Sequence, residues 1–171
     1  MNTTGIFYAP KGGSTEKIAK KIHQHLPSAA LKSVPEASVN DMMHYDNLIL
    51  GIATIGKETW NQEIKKSGWD LVMPHIDKAD FTGKKVAIFG LGDSVTYDLH
   101  FVDAVGILGK KLRERGAELV GFTDTKDYNF RESKAIEGDQ FMGLPIDEDF
   151  EEEKTDERID QWVKDLTKKM S

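Results

Sequence analysis

The amino-acid sequence predicts a doubly wound α/β fold, in which helices cover both faces of a five-stranded parallel sheet. Short apolar segments rich in β-branched residues alternate with helical patterns along most of the chain. One of these segments, residues 46–53, is apolar almost throughout, as expected for a strand with both faces covered. With 171 residues, of which 39% are apolar and 30% charged, the chain has the size and composition of one soluble domain spanning residues 1–171.

The first predicted elements form a strand–helix–strand unit. Residues 5–9 make an apolar run that predicts the first strand. Residues 14–26 place their apolar side chains on one helical face, with Ser14 or Thr15 as the predicted N-cap. Residues 30–34 form a short second strand, which precedes the apolar third strand already described.

The middle of the chain continues the alternation. Residues 64–76 fit a helix, although they include both Gly68 and a proline. Residues 85–90 read as another central strand. A helix is predicted over residues 101–115, where Gly116 provides the glycine that commonly follows a helix C-terminus.

The last third of the chain departs from the alternation once. A fifth strand begins at residues 119–123, and a polar stretch rich in glycine and aspartate follows at 124–143. A strand-like pattern returns at 144–146, and residues 155–170 form the closing helix. Four of its apolar side chains share one face and are predicted to point inward: Ile159, Trp162, Val163 and Leu166.

Composition excludes several classes of function. The chain has no cysteine, which rules out disulfides, thiolate catalysis, thiolate-bound zinc and iron–sulfur clusters. No apolar run approaches the roughly 20 residues of a membrane helix, and the N-terminus lacks the pattern of a signal peptide. We therefore expect a cytoplasmic protein. The net charge of −6 argues against nucleic acid as a partner, and the scattered histidines predict no metal site.

The acidic residues are concentrated in one place. Residues 147–153 carry six carboxylates in seven positions. Such a run is typical of a solvated loop. The alternative is a docking patch that steers a basic partner towards this part of the surface.

The turn after the first strand has the features of a phosphate site. Two adjacent glycines and two hydroxyls lead directly into a helix, whose N-terminal N–H groups favour an anion. The turn matches neither the nucleoside-triphosphatase P-loop nor the dinucleotide fingerprint. It therefore suggests the phosphate of a nucleotide or of flavin mononucleotide (FMN), unless it is a glycine-rich helix start that binds nothing. Its residues are Pro10, Lys11, Gly12, Gly13, Ser14 and Thr15.

Two further loops reach the same edge of the predicted sheet, because they also follow strands. The loop at 54–62 carries Trp60, and the loop at 90–101 carries Tyr97 together with several glycines. A tryptophan here is either part of the core or a stacking face for a flat ring. Together with the phosphate turn, the two loops are consistent with a phosphate-bearing aromatic ligand held between two rings.

At these motifs the sequence resembles the flavodoxin family, over nearly the whole chain. The polar stretch at 124–143 is similar to the insertion that splits the fifth strand in the long-chain subclass. The motifs that carry the resemblance are Phe7-Tyr8, Gly13-Ser14-Thr15-Glu16, Thr59-Trp60-Asn61, Trp69, Gly92-Asp93, Tyr97-Asp98 and Phe101, with residues 127–135, 141–144, 146–149 and 158–163.

The resemblance implies a non-covalent FMN cofactor, one-electron transfer and no catalytic residue, since a flavodoxin is not an enzyme. Residues 10–15 would surround the phosphate, and Trp60 and Tyr97 would enclose the flavin ring. Asn61 would lie near flavin N5, Asp93 near the pyrimidine edge and Asp149 near the ribityl chain. The other residues assigned to the cofactor are Thr54, Thr59, Leu91, Gly92, His100 and Phe101.

The sequence departs from the family pattern at two points. Pro10 and Gly12 replace two threonines of the phosphate loop, so that hydroxyl donors are lost and Lys11 adds a positive charge. Five extra residues precede Thr59. As a consequence, Thr54 could hold the family's threonine position, which would put Ile55 rather than Trp60 at the stacking position.

The resemblance also implies partners. We expect a monomer that exchanges electrons with redox proteins such as a flavodoxin or ferredoxin reductase, docked at the acidic flavin edge. Because reduction adds negative charge beside a phosphate and several carboxylates, a low potential is expected. The alternatives are a flavodoxin-fold NAD(P)H-dependent flavin or quinone reductase, and an interaction module that no longer binds flavin.

Overall fold

The computed structural model describes residues 3–34, 36–53, 68–96 and 98–170. The strands of its central sheet are β1 (Thr4–Tyr8), β2 (Ala30–Ser33), β3 (Asn47–Ala53), β4 (Lys85–Leu91), β5 (Glu118–Val120) and β9 (Leu144–Ile146). The sheet is parallel and has the order β2-β1-β3-β4-β5, with β9 also paired to β4. The predicted doubly wound parallel sheet is therefore confirmed.

Helices cover both faces of this sheet, and adjacent strand residues point to opposite faces. In β1, Ile6 packs on the face that carries the first and last helices, while Phe7 packs on the other face. The four inward residues predicted for the last helix are all buried. The helices are α1 (Ser14–His25), α2 (Val39–Met42), α3 (Trp69–Ile76), α4 (Asp103–Glu114) and α5 (Thr155–Met170), with a short 3-10 turn at Glu152–Lys154.

The fifth strand ends earlier than the sequence predicted. Gly121 has a φ of 78°, a conformation that turns the chain away from β4 after Val120, so the predicted continuation to residue 123 is wrong. Residues 123–141 instead form a small antiparallel sheet of order β6-β8-β7. Its strands are β6 (Thr123–Asp124), β7 (Ile136–Glu137) and β8 (Gln140–Phe141). Strand β9 then pairs with the second half of β4, further along the edge that β5 occupies.

Helix α1 begins at Ser14 as predicted, but its cap and the start of α4 differ from the predictions. The N-cap of α1 is Gly13, and no side chain caps it, so the prediction of Ser14 or Thr15 as N-cap is wrong. Helix α3 begins after Gly68, which has a φ of 93°, and the predicted first turn at 64–67 lies outside the described residues. Helix α4 begins at Asp103 rather than 101.

Helix α2 was not predicted, although a sequence signal for it exists. Ser38 and Asp41 form a reciprocal capping box, in which each side chain accepts a hydrogen bond from the other residue's backbone N–H. Such a pair commonly marks a helix start, but four residues are too few to show a helical period. Of the helices described, none combines the length and the apolar character that a membrane crossing requires.

Candidate functional site

The topology identifies one edge of the sheet as the binding edge. The chain passes from β1 to β2 on one side and then returns to β3 on the other side of β1, so the strand order reverses at β1. Ligands of open α/β sheets bind beyond the carboxyl ends of the strands at this point. The turn at residues 10–15 follows β1 directly and therefore lies at the reversal.

The turn at residues 10–15 has room and hydrogen-bond donors for an anion. A Cβ built on Gly12 or Gly13 would meet no heavy atom within 4 Å in the part of the chain that is described. Gly12 has a φ of 84°, which favours glycine. The first N–H groups of α1 have no acceptor within the helix, and no side chain caps them. These N–H groups and the exposed Ser14 fit a phosphate, whereas the predicted site residue Thr15 is 2% exposed.

Glu16 links the turn to strand β1 and to helix α1. Its Oε1 accepts hydrogen bonds from the Tyr8 hydroxyl at 2.9 Å and from the Gly12 N–H at 3.4 Å, while its Oε2 lies 3.1 Å from Lys20 Nζ. The hydrogen bond from Tyr8 makes the largest contribution to lowering the pKa of Glu16, and the hydrogen bond from Lys20 makes the second largest. Burial, together with the neighbouring Glu16 carboxylate, raises the pKa of Tyr8 from 10.0 to about 12.

We expect this tyrosine to make stability depend on alkaline pH. Because the folded state raises the Tyr8 pKa, its contribution is complete below the unfolded value of 10.0 and is lost as the pH rises through about 12. The difference in unfolding free energy between the natural protein and Tyr8→Phe should therefore shrink over this range. Urea unfolding of both proteins at a series of pH values measures this difference in unfolding free energy. A difference that stays constant from pH 10 to 12 would contradict the assignment.

Lys11 forms an ion pair with Glu36, a residue that no sequence pattern connected to the turn. Its Nζ lies 2.9 Å from Glu36 Oε1, and Glu36 Oε2 accepts a hydrogen bond from Ser33 Oγ at 2.7 Å. The bond to Glu36 raises the Lys11 pKa and lowers the Glu36 pKa. The positive charge that Lys11 brings to the turn is thus partly offset. A separation of 25 residues explains why no local pattern indicated the pair.

The loop after β4 approaches the sheet edge closely. The Gly92 N–H donates to the Ile146 carbonyl at 3.0 Å, and a Cβ on Gly92 would lie 2.9 Å from Val102 Cγ1. Asp93 Oδ1 accepts the N–H groups of Val95 and Thr96, at 3.0 and 2.7 Å, and so closes a tight turn. Leu91, the last residue of β4, is buried.

Asp147 ties this loop to the segment after β9, and sequence reasoning missed it. The side chain is completely buried, and its Oδ2 accepts hydrogen bonds from Ser94 Oγ at 2.5 Å and Ser94 N at 3.1 Å. Its Oδ1 accepts the N–H groups of Asp149 and Phe150, at 3.0 and 2.9 Å. One carboxylate therefore holds two loops together, directly beside Asp93.

The acidic run at 147–153 is only partly solvated, so its interpretation as a solvated loop is wrong for three residues. Asp147 and Glu151 are buried, and the Glu148 side chain is 10% exposed. Glu148 accepts from Lys17 at 2.7 Å and from the Thr155 hydroxyl at 2.6 Å. In a run of like residues, the sequence gives no sign of which carboxylates turn inward.

Asp149, in contrast, is exposed and is surrounded by negative charge. Partial burial raises its pKa, and the carboxylates of Asp93, Asp147 and Glu148 raise it further. Because Asp93 contributes to the raised pKa of Asp149, these two predicted cofactor residues are close enough for their carboxylates to repel each other. Any group that gains negative charge between them experiences the same repulsion.

His100 and Phe101 close the loop on its far side. His100 Nδ1 lies 3.1 Å from Asp103 Oδ2, and Asp103 Oδ1 accepts the Lys134 N–H at 2.8 Å. The Phe101 side chain is 1% exposed and packs within a cluster of rings. Its partners there are Tyr128, Phe130 and Phe141. Phe101 therefore anchors the loop in the core.

Several predicted site residues lie outside the described residues: Thr54, Thr59, Trp60, Asn61 and Tyr97, together with the alternative stacking residue Ile55. No group of three or more histidine, aspartate or glutamate side chains that could hold a metal ion occurs within the described ranges.

A phosphate-fitting turn at the reversal point of a parallel sheet defines an α/β protein of the nucleotide- and flavin-binding class. The family model described as Flavodoxin matches residues 6–162. The flavodoxin of Nostoc sp. PCC 7120 is 39% identical over 164 residues, which cover 95% of this chain and 94% of the relative. Flavodoxin 1 of Escherichia coli K12 is 39% identical over 173 residues, with coverage of 99% and 96%.

Solved structures agree with these relatives. The flavodoxin of Fusobacterium nucleatum bound to flavin mononucleotide matches with a TM-score of 0.82 and 30% identity, and each chain is covered completely. Flavodoxin 2 of Bacillus cereus matches with a TM-score of 0.70 and 29% identity over 98% of this chain and 99% of the other. This chain belongs to the flavodoxin family, whose members are electron-transfer proteins rather than enzymes.

Proposed function

We propose that this protein is a low-potential one-electron carrier that uses non-covalently bound FMN. The observation that carries the proposal is the open turn at residues 10–15, where two unobstructed glycines and the exposed Ser14 adjoin the uncapped N–H groups of helix α1. The Fusobacterium nucleatum relative, which matches over its full length, is a flavodoxin bound to flavin mononucleotide. When bound, FMN supplies the redox chemistry.

The chain's own residues bind the cofactor and set its electrostatic surroundings. Residues 10–15 hold the phosphate, and Trp60 and Tyr97 enclose the ring. Asn61 and Asp93 contact its polar edges, and Asp149 lies by the ribityl chain. Thr54, Thr59, Leu91, Gly92, His100 and Phe101 complete the assignment. The carboxylates of Asp93, Asp147 and Asp149 oppose added negative charge, as the raised pKa of Asp149 indicates, and thereby favour a low potential.

The subclass, the oligomeric state, the location and the redox partners are proposed from the resemblance to the flavodoxin family. The segment 121–143, which lies between β5 and β9 along one edge of β4, supports a place in the long-chain subclass. We further propose one domain, a monomeric state and a cytoplasmic location. The redox partners include a flavodoxin or ferredoxin reductase. Exposed Phe150, Glu152 and Glu153 beside the cofactor loops support docking of a basic partner there.

A redox titration of the purified protein, followed by its visible spectrum, tests this function. We expect one FMN per chain and two separate one-electron reductions. Direct bleaching by NADPH alone would instead indicate a reductase. Colourless protein that ignores added FMN would indicate a module that does not bind flavin, and would contradict the proposal.

A further inference from the structure

A second concave surface lies away from the cofactor loops. It is a cleft of about 640 Å³ between the small antiparallel sheet and helix α5. Phe122, Tyr128 and Trp162 contribute aromatic side chains to its walls. None of its lining residues belongs to the turn at 10–15 or to the loop at 91–101. The cleft therefore does not belong to the FMN site.

The mouth of the cleft carries uncompensated negative charge. Asp127, Glu157 and Asp165 line it and are exposed, and in the described ranges no cation pairs with their carboxylates. The two cations among its described lining residues, Lys154 and Arg158, share the single carboxylate of Glu151, with Nζ at 2.8 Å and Nη2 at 3.2 Å. Because four acidic residues line the cleft and these two cations share one further carboxylate, an occupant with a positive charge is complementary to it.

Arg158 lies against the aromatic wall of the cleft. Its guanidinium carbon lies 3.9 Å from the centre of the Tyr128 ring, and its Nη2 also donates to the Asp127 carbonyl at 3.0 Å. The side chain is 11% exposed, and its Nη1 is buried. An occupant of the cleft therefore meets the exposed carboxylates rather than this guanidinium.

We propose that this cleft binds an extended basic segment of a redox partner protein. The segment inserts an arginine or lysine side chain between the exposed carboxylates of Asp127, Glu157 and Asp165. The nature of the partner rests on the proposed electron-carrier function. None of the described residues that line the cleft is assigned to the cofactor, so the bound segment orients the partner without covering the cofactor.

The test uses the FMN-loaded protein and the blocked tripeptide Ala-Arg-Ala, followed by nitrogen-15 NMR. We expect saturable shifts of the Trp162 indole signal and of the side-chain amides of Gln140 and Gln161, which line the cleft. The same peptide with citrulline in place of arginine keeps the shape but lacks the charge. It should bind about tenfold more weakly, as should Ala-Arg-Ala to the double variant Glu157→Gln, Asp165→Asn.

A matched control comes from the same helix. Asp156 and Asp160 lie outside the cleft, where they pair with Lys21 at 2.6 Å and Lys164 at 3.0 Å. The double variant Asp156→Asn, Asp160→Asn changes the net charge equally and should leave peptide binding unchanged. Equal weakening by both double variants, equal binding of the citrulline peptide, or no shift at the cleft would overturn the proposal. None of these outcomes alters the redox titration, which tests the electron-carrier function separately.

Discussion

Replacing Gly106 by alanine is expected to destabilise the protein by about 3 kcal/mol, near the upper end for overpacked cores. Helix α4 lies directly on the backbone of the following segment at this position. A Cβ on Gly106 would lie 2.1 Å from the Lys134 carbonyl oxygen and 2.7 Å from Ala135 N. Neither group is the flexible end of a side chain, so the helix and the segment must separate. That movement also strains the 2.8 Å bond from Lys134 N to Asp103.

Gly109, one turn further along the same helix, provides the control. Its Cβ would lie 3.4 Å from Leu119 Cδ1, an ordinary contact. Alanine there should be neutral or stabilise the helix by about 0.5–1 kcal/mol, because glycine is unfavourable within helices. Urea unfolding of both variants measures the difference. Similar stabilities for Gly106→Ala and Gly109→Ala would mean that the helix and the segment do not touch as described.

Asp147→Asn is expected to cost about 2–3 kcal/mol of stability and to weaken FMN binding about tenfold. An amide has one acceptor oxygen, whereas this carboxylate uses both of its oxygens. Turned towards Asp149 and Phe150, its NH₂ group faces two backbone N–H donors, and turned towards Ser94 it can donate to the hydroxyl but leaves the Ser94 N–H without an acceptor. Ser94 or the Asp149–Phe150 turn then loses its acceptor inside the fold, and the loop that carries Asp93 loses its anchor.

The neighbouring Asp149 separates this effect from a loss of charge alone. It is exposed, and the surrounding carboxylates raise its pKa, so its ionised form is disfavoured in the folded protein. Asp149→Asn should therefore change the unfolding free energy by no more than about 0.5 kcal/mol. Chemical denaturation and FMN titration of both variants give the comparison. If the two substitutions have equal effects on stability, the role of Asp147 as a link between loops is wrong.

The sequence predicts the sheet and its helices because their signals are periodic. Alternating apolar strands and amphipathic helices carry the pattern over many residues, and the four inward residues predicted for α5 are all buried. The position of the turn at residues 10–15, between β1 and α1, also follows from the sequence, because adjacent glycines and hydroxyls mark the start of a helix. These features depend on neighbours in the chain.

The features that escaped prediction depend on residues distant in the chain. Asp147 becomes an anchor only because Ser94, 53 residues away, lies against it. Lys11 meets Glu36 across 25 residues. The end of β5 depends on Gly121, whose Cβ would approach the indole nitrogen of Trp162 at 2.9 Å. No local pattern distinguishes these residues from others of their type.

The central claim is that the turn at residues 10–15 holds the phosphate of FMN. Titration of the FMN-free protein with FMN and with riboflavin, which lacks the phosphate, tests it most directly when Ser14→Ala is measured alongside. Loss of a hydroxyl donor to a charged group costs about 1.5–3 kcal/mol, so the variant should bind FMN at least about tenfold more weakly. Its riboflavin affinity should be unchanged. Equal affinities of the natural protein for FMN and riboflavin, or equal losses for both ligands in Ser14→Ala, would contradict the assignment.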